Sequence, residues 1–179
     1  MAANLDTAYI IVTIKTPKTL LAFIDRMLVS AMAYRISACL VFNKVDVYDD
    51  EAMETLDEWE DMYQQLGYEC IRVSAKTGYN VDVLRNKLKG KVSLFTGNSG
   101  VGKSSLINAI DSELGLKTSE VSKSHDKGKH TTTFAEMFQL DDTSYIIDTP
   151  GLKGFGLLDM DKTEVSHYFP EMFALLGEC

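Results

Sequence analysis

The sequence predicts an α/β fold, a mostly parallel sheet with helices on both faces, and three observations predict it. Short β-branched runs alternate along the chain with longer amphipathic stretches. A glycine-rich segment, residues 97–104, lies between one such run and one such stretch. Further short motifs of polar residues fall where predicted strands end.

The elements follow in order. Residues 8–14 read as a buried strand, and Thr16-Pro17 opens a helix that places Leu20, Ile24, Met27 and Ala31 on one face. Residues 36–42 form a second strand. Between Asp46 and Asp61 stand nine acidic residues and no lysine or arginine, on a segment whose Met53, Leu56, Met62 and Leu66 suit a helix with one buried side. Those acids are expected to form a solvated face, with a docking patch for a basic partner as the alternative. Residues 68–73 make a third strand, 80–89 a helix with Val81, Leu84 and Leu88 inward, and 91–95 a fourth strand. Residues 103–110 open another helix. The stretch 117–130 is polar, rich in lysine and serine and without a period, so a mobile loop is expected there. Residues 133–140 and 144–148 alternate like two strands joined through Asp141-Asp142-Thr143, a hairpin signal. Beyond Thr149, Pro150, Gly151, Gly154 and Gly156 deny regular structure until about Asp159. No internal repeat, low-complexity tract or second core is apparent.

Composition bounds the function. The chain has 179 residues, 45% hydrophobic and 25% charged, which suits one globular domain and excludes disorder. Eighteen lysines and arginines against 26 aspartates and glutamates give a formal net charge of -8, which argues against a free-standing nucleic-acid grip. Cys39, Cys70 and Cys179 form no CxxC pair, and an odd count favours reduced thiols in a cytoplasm. The most apolar stretch, 20–42, is interrupted by Asp25, Arg26 and Arg35, so no membrane span or membrane partner is expected.

Gly97, Asn98, Ser99, Gly100, Val101, Gly102, Lys103 and Ser104, with Ser105 next, match the GxxxxGK[ST] pattern in the strand-to-helix context that makes a phosphate cradle. Glycines let backbone N–H groups face an anion without a side-chain clash, and the helix N-terminus adds partial positive charge. Lys103 reaches the terminal phosphates and joins in catalysis, while Ser104 ligates Mg2+. Asp148-Thr149-Pro150-Gly151 ends a strand, where the aspartate can hold the magnesium shell and the Gly151 N–H can sense the terminal phosphate. Asn43, Lys44, Val45 and Asp46 also end a strand. A carboxylate there accepts from both N–H donors of a guanine edge while the lysine stem covers the ring, which selects GTP over ATP. Ser74, Ala75 and Lys76 follow the next strand and offer backbone to the guanine oxygen. Thr131, Thr132 and Thr133 end the polar loop, and one hydroxyl, assigned to Thr132, completes the magnesium site. His125, His130 and His167 show no metal-ligand spacing, and His167 reads as a surface residue.

The order of these motifs discriminates further. A conventional small G protein runs phosphate loop, switch threonine, DxxG, NKxD and SAK, whereas here NKVD and SAK come first. Joining the old ends needs only Lys89-Gly90-Lys91, which is feasible because the termini of a compact domain often lie close. The fold expected is therefore a P-loop NTPase G domain, circularly permuted, with the sheet of an ordinary G domain.

On these residues the chain resembles the circularly permuted GTPases, most closely the ribosome small-subunit-dependent family, RsgA/YjeQ. The likeness also includes Ala3-Asn4-Leu5-Asp6, Val73 through Gly78, Gly128-Lys129-His130-Thr131-Thr132-Thr133 and Phe155-Gly156-Leu157. It implies a GTP hydrolase that acts as a switch in late small-subunit maturation, slow alone and stimulated by the subunit. The residue after the DxxG glycine, a water-orienting glutamine in many small G proteins, is here Leu152, which offers no hydrogen bond. The resemblance gives that catalytic place to His130. It also implies an N-terminal OB-fold and a C-terminal zinc module, which would carry most rRNA contacts. Neither is present in residues 1–179, read here as an excised, monomeric G domain. Cys179 follows Phe169-Pro170-Glu171 where a first zinc ligand of that module would stand. The alternatives are a nucleotide-gated ribosome-binding module with negligible turnover and a permuted GTPase of large-subunit assembly.

Overall fold

The computed structural model describes residues 4–116 and 135–150. Among them the chain runs β1 (Thr7–Val12), α1 (Leu21–Ala33), β2 (Ser37–Phe42), α2 (Asp50–Gln65), β3 (Glu69–Arg72), α3 (Val81–Leu88), β4 (Val92–Gly97), α4 (Lys103–Ile110), β5 (Glu136–Gln139) and β6 (Tyr145–Asp148). The strands form one sheet in the order β3-β2-β1-β4-β6-β5. Every pairing is parallel except that of β5 with β6. The predicted α/β class holds.

Why β1 is central follows from its composition. All six of its residues are buried, as a strand covered on both faces must be. Tyr9 and Ile11 join Cys39, Val41 and Phe95 beneath α3 and α4, while Ile10 and Val12 join Leu40 and Phe42 beneath α1 and α2. The direction in which successive strands are added reverses between β1 and β4: α1 carries the chain outward to β2, whereas α4 precedes strands on the opposite side. In open α/β sheets the crevice for a ligand opens beyond the carboxyl ends of the strands at such a switch point. The join at 89–91 is a tight turn, in which Lys91 N donates to the Leu88 carbonyl at 3.2 Å and Gly90 N to Ser144 Oγ at 2.8 Å.

Two expectations need correction. The first helix begins at Leu21 rather than at Thr16-Pro17, and Leu20 is 65% exposed instead of facing the core. Threonine side chains offered the backbone another arrangement. Thr19 N donates to the Thr13 carbonyl at 2.9 Å, Thr13 N to Thr19 Oγ1 at 3.1 Å, and the Thr13 hydroxyl to the carbonyl of Pro17, which follows a cis peptide bond. In α2, Met62 is exposed and Tyr63 takes the inward place. Leu56 and Tyr63 lie seven residues apart, two turns along one face, so Met62 falls off that stripe. The Tyr63 hydroxyl donates to Asp25 Oδ1 of α1 at 2.8 Å, which ties the two helices together.

The acidic side of α2 faces solvent as expected, and Arg72 of β3 is paired there with Asp57 and Glu60. The hairpin signal is also met: Asp141 Oδ1 accepts from Thr143 N at 2.8 Å between β5 and β6, although β5 begins only at Glu136. Cys39 and Cys70 are free thiols on opposite faces of the sheet, and burial pushes the Cys70 pKa up to about 12. No helix among the described residues is long and apolar enough to cross a membrane.

Candidate functional site

Loops leaving the carboxyl ends of β2, β3 and β4 meet at the switch point, beside the carboxyl end of β6. After β4 the turn is dictated by contact distances. A Cβ on Gly97, at φ +154°, would stand 2.3 Å from the Ile11 carbonyl oxygen of β1, and one on Gly102, at φ +94°, would stand 2.6 Å from Asn43 Nδ2. Neither place admits a side chain. Val101 is fully buried in the core beneath α3 and α4 and anchors the loop between those glycines.

Lys103, the first residue of α4, is buried, and its Nζ donates to the Gly97 carbonyl at 3.2 Å. Burial lowers its pKa from 10.5, while the Asp148 carboxylate opposes that shift. Below the lowered pKa the ammonium is charged in folded and unfolded chains alike, and the folded chain bears its desolvation. As pH rises through that value toward 10.5 the folded lysine loses its proton first and the penalty lifts. An anion seated in the loop restores the charge, so diphosphate binding at alkaline pH should take up protons. Calorimetry in buffers of different ionisation heat measures this, and buffer-independent heats would contradict it.

The loop after β2 grips the loop after β4. Asn43 is buried, donates from Nδ2 to the Val101 carbonyl at 2.9 Å and accepts at Oδ1 from Ala75 N at 3.2 Å. Lys44, at φ +67°, donates from Nζ to the Gly100 carbonyl at 2.7 Å and to the Thr16 carbonyl at 2.8 Å. Its half-buried ammonium has a lowered pKa, with desolvation outweighing the pull of Asp46. Asp46 lies exposed on the 3-10 turn Val45–Val47, where Oδ1 accepts from Ser74 Oγ at 2.6 Å. Ser74 Oγ in turn accepts from Thr77 N at 3.1 Å, which shapes the loop carrying Ala75 and Lys76. Lys76 itself is exposed.

Asp148 closes β6 in a buried position beside β4, and Thr149 Oγ1 donates to the Phe95 carbonyl at 3.0 Å. Ser104 and Ser105 are half-buried in the first turn of α4, and Asn98 is half-buried and Ser99 exposed in the loop before it. No cluster of three His, Cys, Asp or Glu occurs among the described residues. One buried carboxylate and one hydroxyl near a phosphate cradle instead match the donor set of Mg2+, which is held by few protein oxygens plus substrate phosphates. Gly151, Leu152, Thr131, Thr132, Thr133, His125, His130, His167 and Cys179 lie outside the described residues.

Sequence reasoning missed a fifth contributor, the loop 13–20 after β1. It meets the NKVD turn at the Thr16 carbonyl, at a Lys15–Asp49 ion pair, and at Tyr48, whose hydroxyl accepts from Ile14 N at 2.8 Å and donates to the Asn43 carbonyl at 2.7 Å. Burial pushes the Tyr48 pKa up to about 12, so it keeps the proton it donates. The only signal was an aromatic two places after Asp46 in an otherwise acidic stretch.

A phosphate-loop turn at the switch point of a parallel sheet, braced from the side by an NKxD turn that precedes it in sequence, defines a circularly permuted G domain of the P-loop class. The RsgA GTPase family model matches residues 1–158, and the chain belongs to that family. It is 52% identical over its whole length to the small ribosomal subunit biogenesis GTPase RsgA of Bacteroides fragilis and 49% identical to that of Flavobacterium psychrophilum. It spans 58% and 55% of those proteins, little more than half their length. Among solved structures it is similar to YjeQ from Thermotoga maritima, at 39% identity and TM-score 0.78 over 94% of this chain and 55% of that one. YloQ, described as a circularly permuted GTPase, matches at 25% identity and TM-score 0.74 over 98% of this chain and 55% of that one.

Proposed function

We propose that this chain is the G domain of a GTP hydrolase that serves as a switch in late maturation of the small ribosomal subunit. One observation carries the nucleotide reading: Asn43 and Lys44 of the base-side motif both hold carbonyls of the phosphate loop, so the two halves of a nucleotide site are one braced piece. The ribosomal part of the reading is supported by the relatives named for small-subunit biogenesis.

In this reading Asp46 accepts the guanine N–H donors, the Lys44 stem covers the base, and the Ser74-Ala75-Lys76 backbone meets its oxygen. The loop Gly97 to Gly102, with Ser105, wraps the phosphates, and Lys103 exchanges the Gly97 carbonyl for phosphate oxygens. Ser104, Asp148 and Thr132 would hold Mg2+, which when bound neutralises charge building on the phosphoryl oxygens. Gly151 senses the terminal phosphate by its N–H, and His130 orients the attacking water where Leu152 offers nothing. Flanking modules of the full-length protein, an OB-fold before and a zinc module after with Cys179 as its first ligand, make the main rRNA contacts. The protein works as a monomer in the cytoplasm.

Calorimetry of this chain with Mg2+ tests the base: GDP should bind and ADP should not, and equal affinities would overturn the reading. Catalysis is tested in the full-length protein. His130→Ala should lower subunit-stimulated turnover by about 10²-fold with GTP affinity little changed, the loss typical of a positioned acid-base or water-orienting group. Unchanged stimulated turnover would remove His130 from the mechanism.

A further inference from the structure

Asp46 reads a base only if the turn that carries it is held still, and that turn is short. Val45–Val47 is a single 3-10 turn entered from Lys44 at positive φ, with its carboxylate exposed. Nothing in so short an element supplies rigidity by itself. Besides the contacts of Asn43 and Lys44 with the phosphate loop and of Asp46 with Ser74, the residue that closes the turn stiffens it. Tyr48 N donates to the Val45 carbonyl at 3.4 Å, and the ring lies half-buried against the core beneath α1 and α2. Its hydroxyl uses its single proton on the Asn43 carbonyl and its oxygen on the Ile14 N–H. Both ends of the motif are thereby fastened to the loop after β1.

We propose that Tyr48 is a positioning residue for guanine recognition: through the Asn43 carbonyl and the Ile14 N–H it clamps the NKVD turn to the loop after β1 and holds the Asp46 carboxylate in line with the base. This rests on the reading of Asp46 given above. A tyrosine that served only to fill the core would affect all nucleotides alike. A positioning tyrosine affects those that use Asp46 most.

Tyr48→Phe keeps the ring and removes both hydrogen bonds. Inosine diphosphate, which lacks the exocyclic amine of guanine, is the discriminating probe beside GDP. The unmodified chain should prefer GDP, and in Tyr48→Phe GDP affinity should fall about tenfold, the scale of one or two lost neutral hydrogen bonds. Inosine diphosphate affinity should fall less, so the preference narrows. An equal fall for both, or no fall, would overturn the role of Tyr48 alone. An unmodified chain that binds both diphosphates and ADP equally would take down the reading of Asp46 and this proposal together. Should the variant fail to fold, hydrogen exchange on the unmodified chain decides. GDP should protect the Ile14 and Val47 amides together and inosine diphosphate should protect them less, whereas protection of Val47 without Ile14 would overturn the clamp.

Discussion

Gly97→Ala is expected to destabilise the chain by about 3 kcal/mol or more, from a left-handed backbone that costs an L-residue and a methyl forced into a packed carbonyl. The added carbon would lie 2.3 Å from the Ile11 oxygen, and both neighbours of that contact are strand backbone at the centre of the sheet. Neither can swing aside as a flexible side chain would. Urea unfolding is the measurement: the midpoint should fall with the slope unchanged. A shift under about 1 kcal/mol would mean that β1 and β4 separate at little cost, and the account of the turn would fail.

Asp46→Asn is expected to weaken GDP by about 10²-fold or more, because each hydrogen bond to a charged acceptor contributes ~1.5–3 kcal/mol and the carboxylate offers two. Xanthosine diphosphate, which accepts where guanine donates, should gain as GDP loses. The fold should be unaffected, since an asparagine oxygen can still accept from the Ser74 hydroxyl as Asp46 Oδ1 does. Calorimetry with both nucleotides, alongside a melting curve, reads these effects separately. Unaltered GDP affinity would remove Asp46 from base recognition.

Both experiments address motifs legible in the sequence. The glycine spacing from 97 to 102, the strand before it and the helix at 103–110 are local patterns, and periodicity plus turn chemistry capture local patterns well. The sheet was legible only as that of an ordinary G domain, which the motif order implied once it was read as a circular permutation. What escaped depends on contacts between distant residues. The clasp of Thr13 with Thr19 displaced a helix start that Pro17 signalled, and nothing in the sequence sets one threonine pair above an N1 proline. Met62 lost its inward place to Tyr63, which shares the face of Leu56 and whose hydroxyl finds its acceptor, Asp25, 38 residues away on another helix. Tyr48 went unnoticed on the same ground, since the amide it accepts from, that of Ile14, lies 34 residues upstream.

The placement of the join at 89–91 also sets the order in which the site is made during synthesis. The base-side loops emerge first, while β1 waits for its second neighbour: Asp6 and Val92, which bond at the start of that pairing, are 86 positions apart. At ~5–20 residues per second that wait is roughly 4–17 s, during which the β1 edge of the nascent chain has no partner. Over the same interval Asn43 Nδ2 and Lys44 Nζ lack the Val101 and Gly100 carbonyls that they later hold. An unfinished chain therefore carries the NKVD turn with no phosphate loop to brace it. On the proposed function, tight nucleotide capture would report that translation has passed the phosphate loop and that the two halves of the sheet have met.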